Sequence, residues 1–248
     1  KTVCEGIYDD LDFVNCFNVI LLAAARHWGW LPDIVALLTR IVDDRATLHA
    51  ELTSYYGCDE DAAKVLIIKH WGGGKVLAWM RDDDNKISDA TKAKVTDQGH
   101  HRTVVDLERL APEVLRLFLE KFPEMTAMLS DVNRQRTARG AAPKNEYTAL
   151  HYGLQTVEAK LLGHLETFLG ERNLTVGSKQ FDGLYVRRHD GAGDEFPRAV
   201  LREAEAYLAA QDLGGGLSVP MKLKQKSVAC PYVLLASEEE DDDDDVFQ

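Results

Sequence analysis

The chain has 248 residues, 45% of them hydrophobic, which is enough to bury a real core as one large domain or two small ones. Its formal net charge is -12, which argues against the strongly basic footprint of an autonomous DNA-binding domain. Eight acidic residues form one run, Glu238–Asp245, and without them 33 acidic residues stand against 29 basic ones. We therefore expect a mildly acidic body followed by a disordered acidic tail over residues 237–248.

The remaining global features indicate an intracellular protein that is not secreted. The longest apolar run, Val19–Ala25, is far shorter than a membrane span, so we expect no membrane partner. The chain begins at Lys1 rather than Met, which suggests a fragment of a longer protein. The cysteines lack metal-ligand spacing, and we interpret them as reduced, buried apolar side chains. These cysteines are Cys4, Cys16, Cys58 and Cys230.

Hydrophobic periodicity and turn residues predict the following elements in chain order. They are a strand over 6–12, a helix over 15–28, a helical stretch over 33–55 with a break at 43–44, a helix from 59 to the glycines at 72–74, a short helix over 75–81, an irregular polar segment over 82–98, helices over 104–122 and 124–139, a long helix over 146–169, strands over 176–181 and 184–188, a helix over 197–210 and an edge strand over 217–226. Two separated strand regions with helices on one face predict an α+β fold, mostly helical overall.

Two aspartates follow apolar strand residues and are candidates for metal binding. Asp12 ends the first strand, and Asp182 lies at the turn of the later hairpin. If the two strands are neighbours, the carboxylates can share divalent ions, as phosphoryl transfer by two metals requires. Taken alone, each aspartate is more typical of ordinary structure than of a metal site, since Asp-Gly is a strong hairpin signal and acids often line a solvated edge.

Other residues in the sequence surround this pair in a fixed order. Asp12 is followed by Asn15 and Phe17, Lys64 is followed eight and nine residues later by Gly72 and Gly73, a long helix carries His151 and Gln155, and Asp182 and Val219-Pro220 come last. In this combination and order, the sequence resembles the family A DNA polymerases, most closely their compact branch associated with transposons and viruses. The resemblance extends from Ile7 to about Lys226.

The resemblance implies a site residue by residue. Asp12 and Asp182 would hold two Mg²⁺ ions, and Lys64 would contact the incoming triphosphate. The implied substrate-binding residues are Asn15, Phe17 (excluding the ribose 2′-hydroxyl), Arg45, Ile68 (near the sugar), Gly72, Gly73, His151 and Gln155 (at the template-primer minor groove).

The resemblance also implies an organisation and a function. A small antiparallel palm-like sheet would come from residues 1–30 and 143–236, with a large helical fingers-like insertion over residues 31–142. The chain would add dNTPs to a primer 3′ end on a DNA primer-template, as part of a larger replication protein. A replication helicase, or other domains of the full-length chain, would be its partners.

Alternatives to this interpretation remain open at the level of sequence. Glu60 stands where the family carries Arg, and Gly183 stands where many members carry Glu. These departures are compatible with a catalytically decayed polymerase-like domain that acts as a binding or interaction module. Asp10 competes with Asp12 as the metal ligand. In a third interpretation the motifs arose by chance, and the carboxylates of Asp12 and Asp182 would then lie far apart.

Overall fold

A computed structural model describes residues 8–180, 182–187 and 196–226 of the chain. Within these ranges the helices are α1 (Cys16–His27), α2 (Pro32–Asp43), α3 (Arg45–Tyr56), α4 (Glu60–Trp71), α5 (Val76–Arg81), α6 (Asp89–Gln98), α7 (Arg102–Lys121), α8 (Glu124–Ala138), α9 (Tyr147–Gly170) and α10 (Arg198–Ala209). The strands are β1 (Tyr8–Phe13), β2 (Val176–Gln180), β3 (Gly183–Arg187) and β4 (Leu223–Lys226), and a short 3₁₀ turn spans Asp83–Asn85. The α+β prediction is confirmed.

The four strands form one antiparallel sheet in the order β2-β3-β1-β4. Strand alternation gives this sheet two different faces. Leu11 and Phe13 of β1 are each 1% exposed and join the apolar core together with Leu184 and Val186 of β3. Asp10 and Asp12 lie on the opposite face of β1, whereas Asp9 shares the face of Leu11 and Phe13. The central strand is therefore anchored by its apolar side chains while the carboxylates of Asp10 and Asp12 lie on its other face.

Helices α1 and α9 connect the sheet to the rest of the molecule. Helix α1 buries residues around most of its circumference, as expected for a helix packed between neighbours. It contacts both α2 and α9, and α9 in turn packs on α4, α7, α8 and α10. A continuous apolar core runs through all of these elements. The sheet and helices α1, α9 and α10 are therefore held in one packed body with the helices between α1 and α9.

Most predicted helix boundaries are correct to within two residues, because capping and turn residues mark them. The break in the 33–55 stretch falls at Asp44, between α2 and α3. Helix α4 begins after Asp59, whose side chain accepts a hydrogen bond from the Ala62 amide at 2.8 Å. It ends at Gly72. The start of the first strand, Phe181, Arg188 and the predicted acidic tail lie outside the described residues.

The prediction of an irregular segment over 82–98 is wrong, because α6 occupies its second half. The side chain of Ser88 caps this helix by accepting a hydrogen bond from the Thr91 amide at 3.1 Å. Val95 is the one buried residue of α6. A helix that buries so little has no apolar period, which is why the pattern failed to predict it.

The predicted edge strand is shorter than expected, because β4 covers the last four of the ten residues 217–226. Pro220 has no amide hydrogen to donate to a neighbouring strand. The preceding glycine turn is present, and Asp212 Oδ1 accepts hydrogen bonds from the amides of Gly214 and Gly216. Cys16 and Cys58 are buried and unpaired, as predicted, while Cys4 and Cys230 lie outside the described residues. Among the residues that the structure describes, no helix is both long and apolar enough to cross a membrane.

Candidate active site

The sheet places Asp12 and Asp182 side by side. Asp12 pairs with Gly183 across the β1–β3 ladder, and the Phe13 amide donates to the Asp182 carbonyl at 2.9 Å. The two carboxyl groups are close enough for a hydrogen bond between them. This geometry is the opposite of the wide separation that the chance interpretation requires.

Burial is the main reason why the pKa of Asp182 is raised above its usual value. The hydrogen bond and the negative charge of Asp12 raise this pKa further. Asp10 lies on the same face of β1, and burial raises its pKa as well. Asp12 rather than Asp10 contacts Asp182, so the geometry favours Asp12 as the partner of Asp182.

Position 183 requires a glycine because β1 and β3 approach each other closely there. A Cβ atom on this residue would lie 2.6 Å from the Leu11 carbonyl oxygen, so the backbone pairing leaves no room for a side chain. Position 183 therefore has no room for the glutamate that many members of the resembled family carry there. Any third carboxylate near Asp12 and Asp182 has to come from another element.

Such a carboxylate comes from α9, and the sequence analysis missed it. Glu158 is half-buried, and burial raises the pKa of its carboxyl group, as do the charges of Asp182 and Asp12. Its side chain shares a hydrogen bond with the Cys16 thiol. Because Glu158 follows Gln155 by three residues on a helix, helical spacing alone could have indicated that the two share a face.

Two lysines on β4 also reach this pair and were missed. Lys226 Nζ lies 2.6 Å from Asp12 Oδ2, and Lys224 Nζ lies 3.5 Å from the same oxygen. Although burial acts to lower the pKa of Lys226, the hydrogen bond with Asp12 and the surrounding acids raise it. These lysines could not be predicted from the sequence, because no local signal specifies that β4 pairs with β1.

Helices α3 and α4 supply basic side chains to the same cavity as Asp12 and Asp182. Lys64 is exposed on α4 and forms no ion pair within the described part of the chain. Arg45 and His49 lie one turn apart on α3, so they share a face. His49 could have been predicted as a site residue from its spacing of one helical turn from Arg45.

Glu60 is directed at His49 rather than at Lys64. Its Oε1 atom lies 3.5 Å from His49 Nδ1, while 79% of its side chain remains exposed. Burial lowers the pKa of His49, so the imidazole is neutral at pH 7 and the contact is a weak hydrogen bond. The acid that stands in place of the expected arginine is thus at the rim of the site and largely in solvent.

A cavity of about 370 Å³ lies between the sheet and helices α1, α3, α4 and α9. Eight of the residues predicted from the sequence line it: Asp12, Asn15, Phe17, Arg45, Lys64, Ile68, Gln155 and Asp182. The residues that the sequence analysis missed line it as well: Asn18, His49, Glu158, Lys224 and Lys226. The acidic wall of the cavity is formed by Asp12 and Asp182 of the sheet region and Glu158 of α9, with Lys224 and Lys226 of β4 beside it, and the basic wall is formed by α3 and α4.

Gly72 and His151 border an adjoining groove, which shares Ile68 with the cavity. The Phe17 and His151 rings meet edge to face with their centroids 5.8 Å apart. Gly73 has a φ of +74°, and a Cβ there would lie 2.6 Å from the Tyr147 ring. The need for glycine at this position therefore comes from packing against the start of α9, whereas the sequence suggested close approach of a substrate.

Asn15 is held by bonds within the protein. It adopts a left-handed conformation with a φ of 57°, its Nδ2 donates to the Ile41 carbonyl at 3.2 Å, and its Oδ1 accepts from Asn18 Nδ2 at 2.7 Å. The Asn18 side chain also accepts from the Trp71 indole at 2.7 Å. This chain of hydrogen bonds fixes the end of α4 to the start of α1, and so fixes the two walls of the cavity relative to each other.

The side chains present fit a cation at Asp12 and Asp182. Within the described residues, no group of three or more histidine, cysteine, aspartate or glutamate side chains is arranged as a metal site. The two adjacent carboxylates nevertheless attract positive charge strongly, since an ammonium group lies 2.6 Å from one of them. Oxygen ligands of this kind suit Mg²⁺, which usually binds through one or two carboxylates together with substrate phosphates.

A comparison of the sequence with protein-family models and with curated proteins gives no match.

Proposed function

We propose that the chain catalyses template-directed DNA synthesis, transferring deoxynucleotides from dNTPs to a primer 3′ end. The observation that supports this most is the single cavity in which residues from four distant stretches of sequence meet. These stretches are the β1–α1 region, helices α3 and α4, helix α9 and the β2–β3 turn. A chance set of motifs has no reason to converge in this way.

The acidic wall would hold two Mg²⁺ ions through Asp12 and Asp182. When bound, such ions stabilise the attacking and leaving oxygens of the phosphoryl transfer. Asp12 is held in the β1–β3 ladder, and the hydrogen bond from the Phe13 amide to the Asp182 carbonyl ties the β2–β3 turn to β1, which favours accurate placement of reacting groups. In this assignment the catalytic residues are Asp12, Asp182 and Lys64.

The basic wall would take the triphosphate. Lys64 is available to neutralise charge on the phosphates, because it makes no ion pair among the described residues. Arg45 lines the same wall and supplies a second cation, in the absence of the arginine that Glu60 replaces. The contact of Glu60 with His49 keeps this acid at the rim and so limits its repulsion toward a nucleotide.

Residues of α1 and α9 would orient the sugar of the incoming nucleotide and the duplex. Phe17 is held against His151 and would lie beside the sugar of the incoming nucleotide, where a 2′-hydroxyl meets the ring. Gln155 is exposed and lines the cavity, so its amide is free to contact a minor groove. The template-primer would then lie along α9, with Ile68 of α4 near the sugar of the incoming nucleotide.

The test is primer extension with Mg²⁺ and dNTPs. Asp182→Ala and Asp12→Ala should each lower the rate by more than about 100-fold, because each removes a metal ligand. Asp10→Ala is the matched control from the same face of β1, and it should retain most of the activity. Equal rates for the wild type and Asp182→Ala would overturn the proposal, and loss of activity in Asp10→Ala alone would move the ligand to Asp10.

A second candidate is a catalytically decayed polymerase-like domain that serves as a binding or interaction module. The contact between Lys226 and Asp12 favours it, since a cation already belongs to the protein at this carboxylate. Isothermal titration calorimetry distinguishes the two candidates. Binding of a dNTP that depends on Mg²⁺ supports the enzyme, and its absence supports the module.

A further inference from the structure

Asp12 carries two ion pairs that compete with any metal for the same oxygen. Lys226 Nζ and Lys224 Nζ lie 2.6 Å and 3.5 Å from Asp12 Oδ2, and the Asp12 side chain is only 6% exposed. Two carboxylates this close repel each other when both are ionised, and burial strengthens the repulsion. The lysines relieve that repulsion in the metal-free protein.

The strand register explains why the lysines lie there. Lys224 pairs directly with Asp12 across the β1–β4 ladder, and Lys226 pairs with Asp10, two residues along the same face. Directly opposed and diagonal cross-strand neighbours are within reach of long side chains. The position of both ammonium groups is therefore built into the sheet.

Both lysines can leave without disturbing the core. Their side chains are 45% and 44% exposed, and both line the cavity. A lysine side chain has a flexible four-carbon stem, so its ammonium group can move into the cavity while the strand stays in place. Exchange of this cation for another is therefore possible within the folded protein.

A divalent ion cannot bind Asp12 fully while Lys226 remains. Mg²⁺ needs its oxygen ligands at about 2.0–2.1 Å in near-ideal octahedral geometry. An ammonium group in contact with the same oxygen occupies that approach and adds like-charge repulsion. Metal binding through Asp12 Oδ2 and the Lys226–Asp12 contact therefore compete.

We propose that Lys226, supported by Lys224, is the resident counter-ion of Asp12 and that its displacement sets the affinity of the site for divalent metal. This inference rests on the proposed function, because it takes Asp12 and Asp182 as the metal ligands. Metal binding is then an exchange of cations. The ammonium groups released by the exchange remain in the cavity, beside the position of the substrate phosphates.

The experiment measures the dissociation constant of Mn²⁺ alone, without nucleotide, by electron paramagnetic resonance of free Mn²⁺. Lys226→Gln should bind Mn²⁺ about tenfold more tightly than the wild type, and the Lys224→Gln/Lys226→Gln pair more tightly still. Lys226→Arg keeps the charge and should bind like the wild type. Lys222→Gln is the matched control from the same segment, because its ion pair is with Glu205, and it should also bind like the wild type.

A second readout guards against misfolded variants. Mn²⁺ should raise the Tm of Lys226→Gln by more than it raises the Tm of the wild type, because a ligand that binds the folded state more tightly stabilises it more at the same concentration. A larger shift is expected although the metal-free variant has lost an ion pair and starts from a lower Tm.

The outcomes separate this inference from the proposed function. Asp182→Asn should abolish the binding. If it does, and Lys226→Gln still binds Mn²⁺ no more tightly than the wild type, the counter-ion role is wrong while the metal site stands. An equal gain in Lys226→Arg also overturns the inference, since the charge is then not the cause. Absence of any Asp182-dependent binding in all variants overturns both the inference and the metal site.

Discussion

Asn18 should be critical for stability, because it joins the two walls of the cavity. It is 5% exposed, it accepts from Trp71 Nε1 at 2.7 Å, and it donates to Asn15 Oδ1 at 2.7 Å. Asn18→Ala removes both bonds. The two losses differ, because Trp71 is 1% exposed and its indole N–H is left without a partner, whereas Asn15 is only half-buried and water can reach it.

The magnitude follows from this difference. A buried donor left unsatisfied costs about 1–3 kcal/mol, and a bond whose partner can be rehydrated costs about 0.5–1.5 kcal/mol. Asn18→Ala should therefore lower the free energy of unfolding by about 1.5–4.5 kcal/mol. For a chain of this size, each kcal/mol corresponds to about 2–4 °C in Tm. A single substitution of this kind is a large fraction of a typical domain's stability.

The assay is urea unfolding followed by circular dichroism, with two comparisons. Asn133→Ala is the matched control, because Asn133 makes two hydrogen bonds with the Lys144 backbone but is accessible to solvent. It should cost less than about 1 kcal/mol. In a double-mutant cycle, Trp71→Phe should reduce the cost of Asn18→Ala, since no indole N–H is then left unsatisfied. An Asn18→Ala cost below that of Asn133→Ala, or strict additivity with Trp71→Phe, would refute the reasoning.

Three further predictions concern the cavity and its packing. Because the folded-state pKa of Asp182 is raised above 3.8, its ionised form destabilises the fold above that pH, and the penalty is relieved as the pH falls toward 3.8. Asp182→Asn should therefore raise the Tm at pH 7, with the gain shrinking to nothing near pH 4, and a lower Tm at pH 7 would contradict this. Phe17→Ala should raise ribonucleotide incorporation relative to deoxynucleotide by about tenfold or more in primer extension, and unchanged discrimination would remove Phe17 from the sugar site. Gly73→Ala should cost about 1–3 kcal/mol in urea unfolding, through its positive φ and its clash with Tyr147. Gly140→Ala has a similar φ of +72° and no neighbour within 4 Å, so it should cost less, and equal costs would exclude the clash.

The sequence predicted the elements that bury a regular apolar pattern or carry clear caps. Helix α4 is such a case, since Asp59 and Gly72 bound it in both the pattern and the structure. Helix α6 is not, because it buries only Val95. The hairpin at Asp182 was visible because an Asp-Gly pair joins two strands of matching character.

Site residues that lie in sequence motifs could be predicted. Site residues whose position depends on which strands pair in the folded protein could not. Asp12 and Asp182 could be paired only through the order of the motifs between them. Lys224 and Lys226 could not be found, because no local signal specifies which strand accepts an edge strand as its neighbour. The use of Asn15 as a structural bridge likewise depends on where α2 and α4 end in space.

The central claim is that Asp12 and Asp182 bind two metal ions for nucleotidyl transfer. The most direct measurement is anomalous diffraction from crystals soaked with Mn²⁺ and a non-hydrolysable dNTP. The account predicts two peaks about 4 Å apart beside the two carboxylates, with the nucleotide phosphates toward Lys64 and the Lys226 ammonium withdrawn from Asp12. A nucleotide bound elsewhere, with no peak within coordination distance of either aspartate, would contradict it.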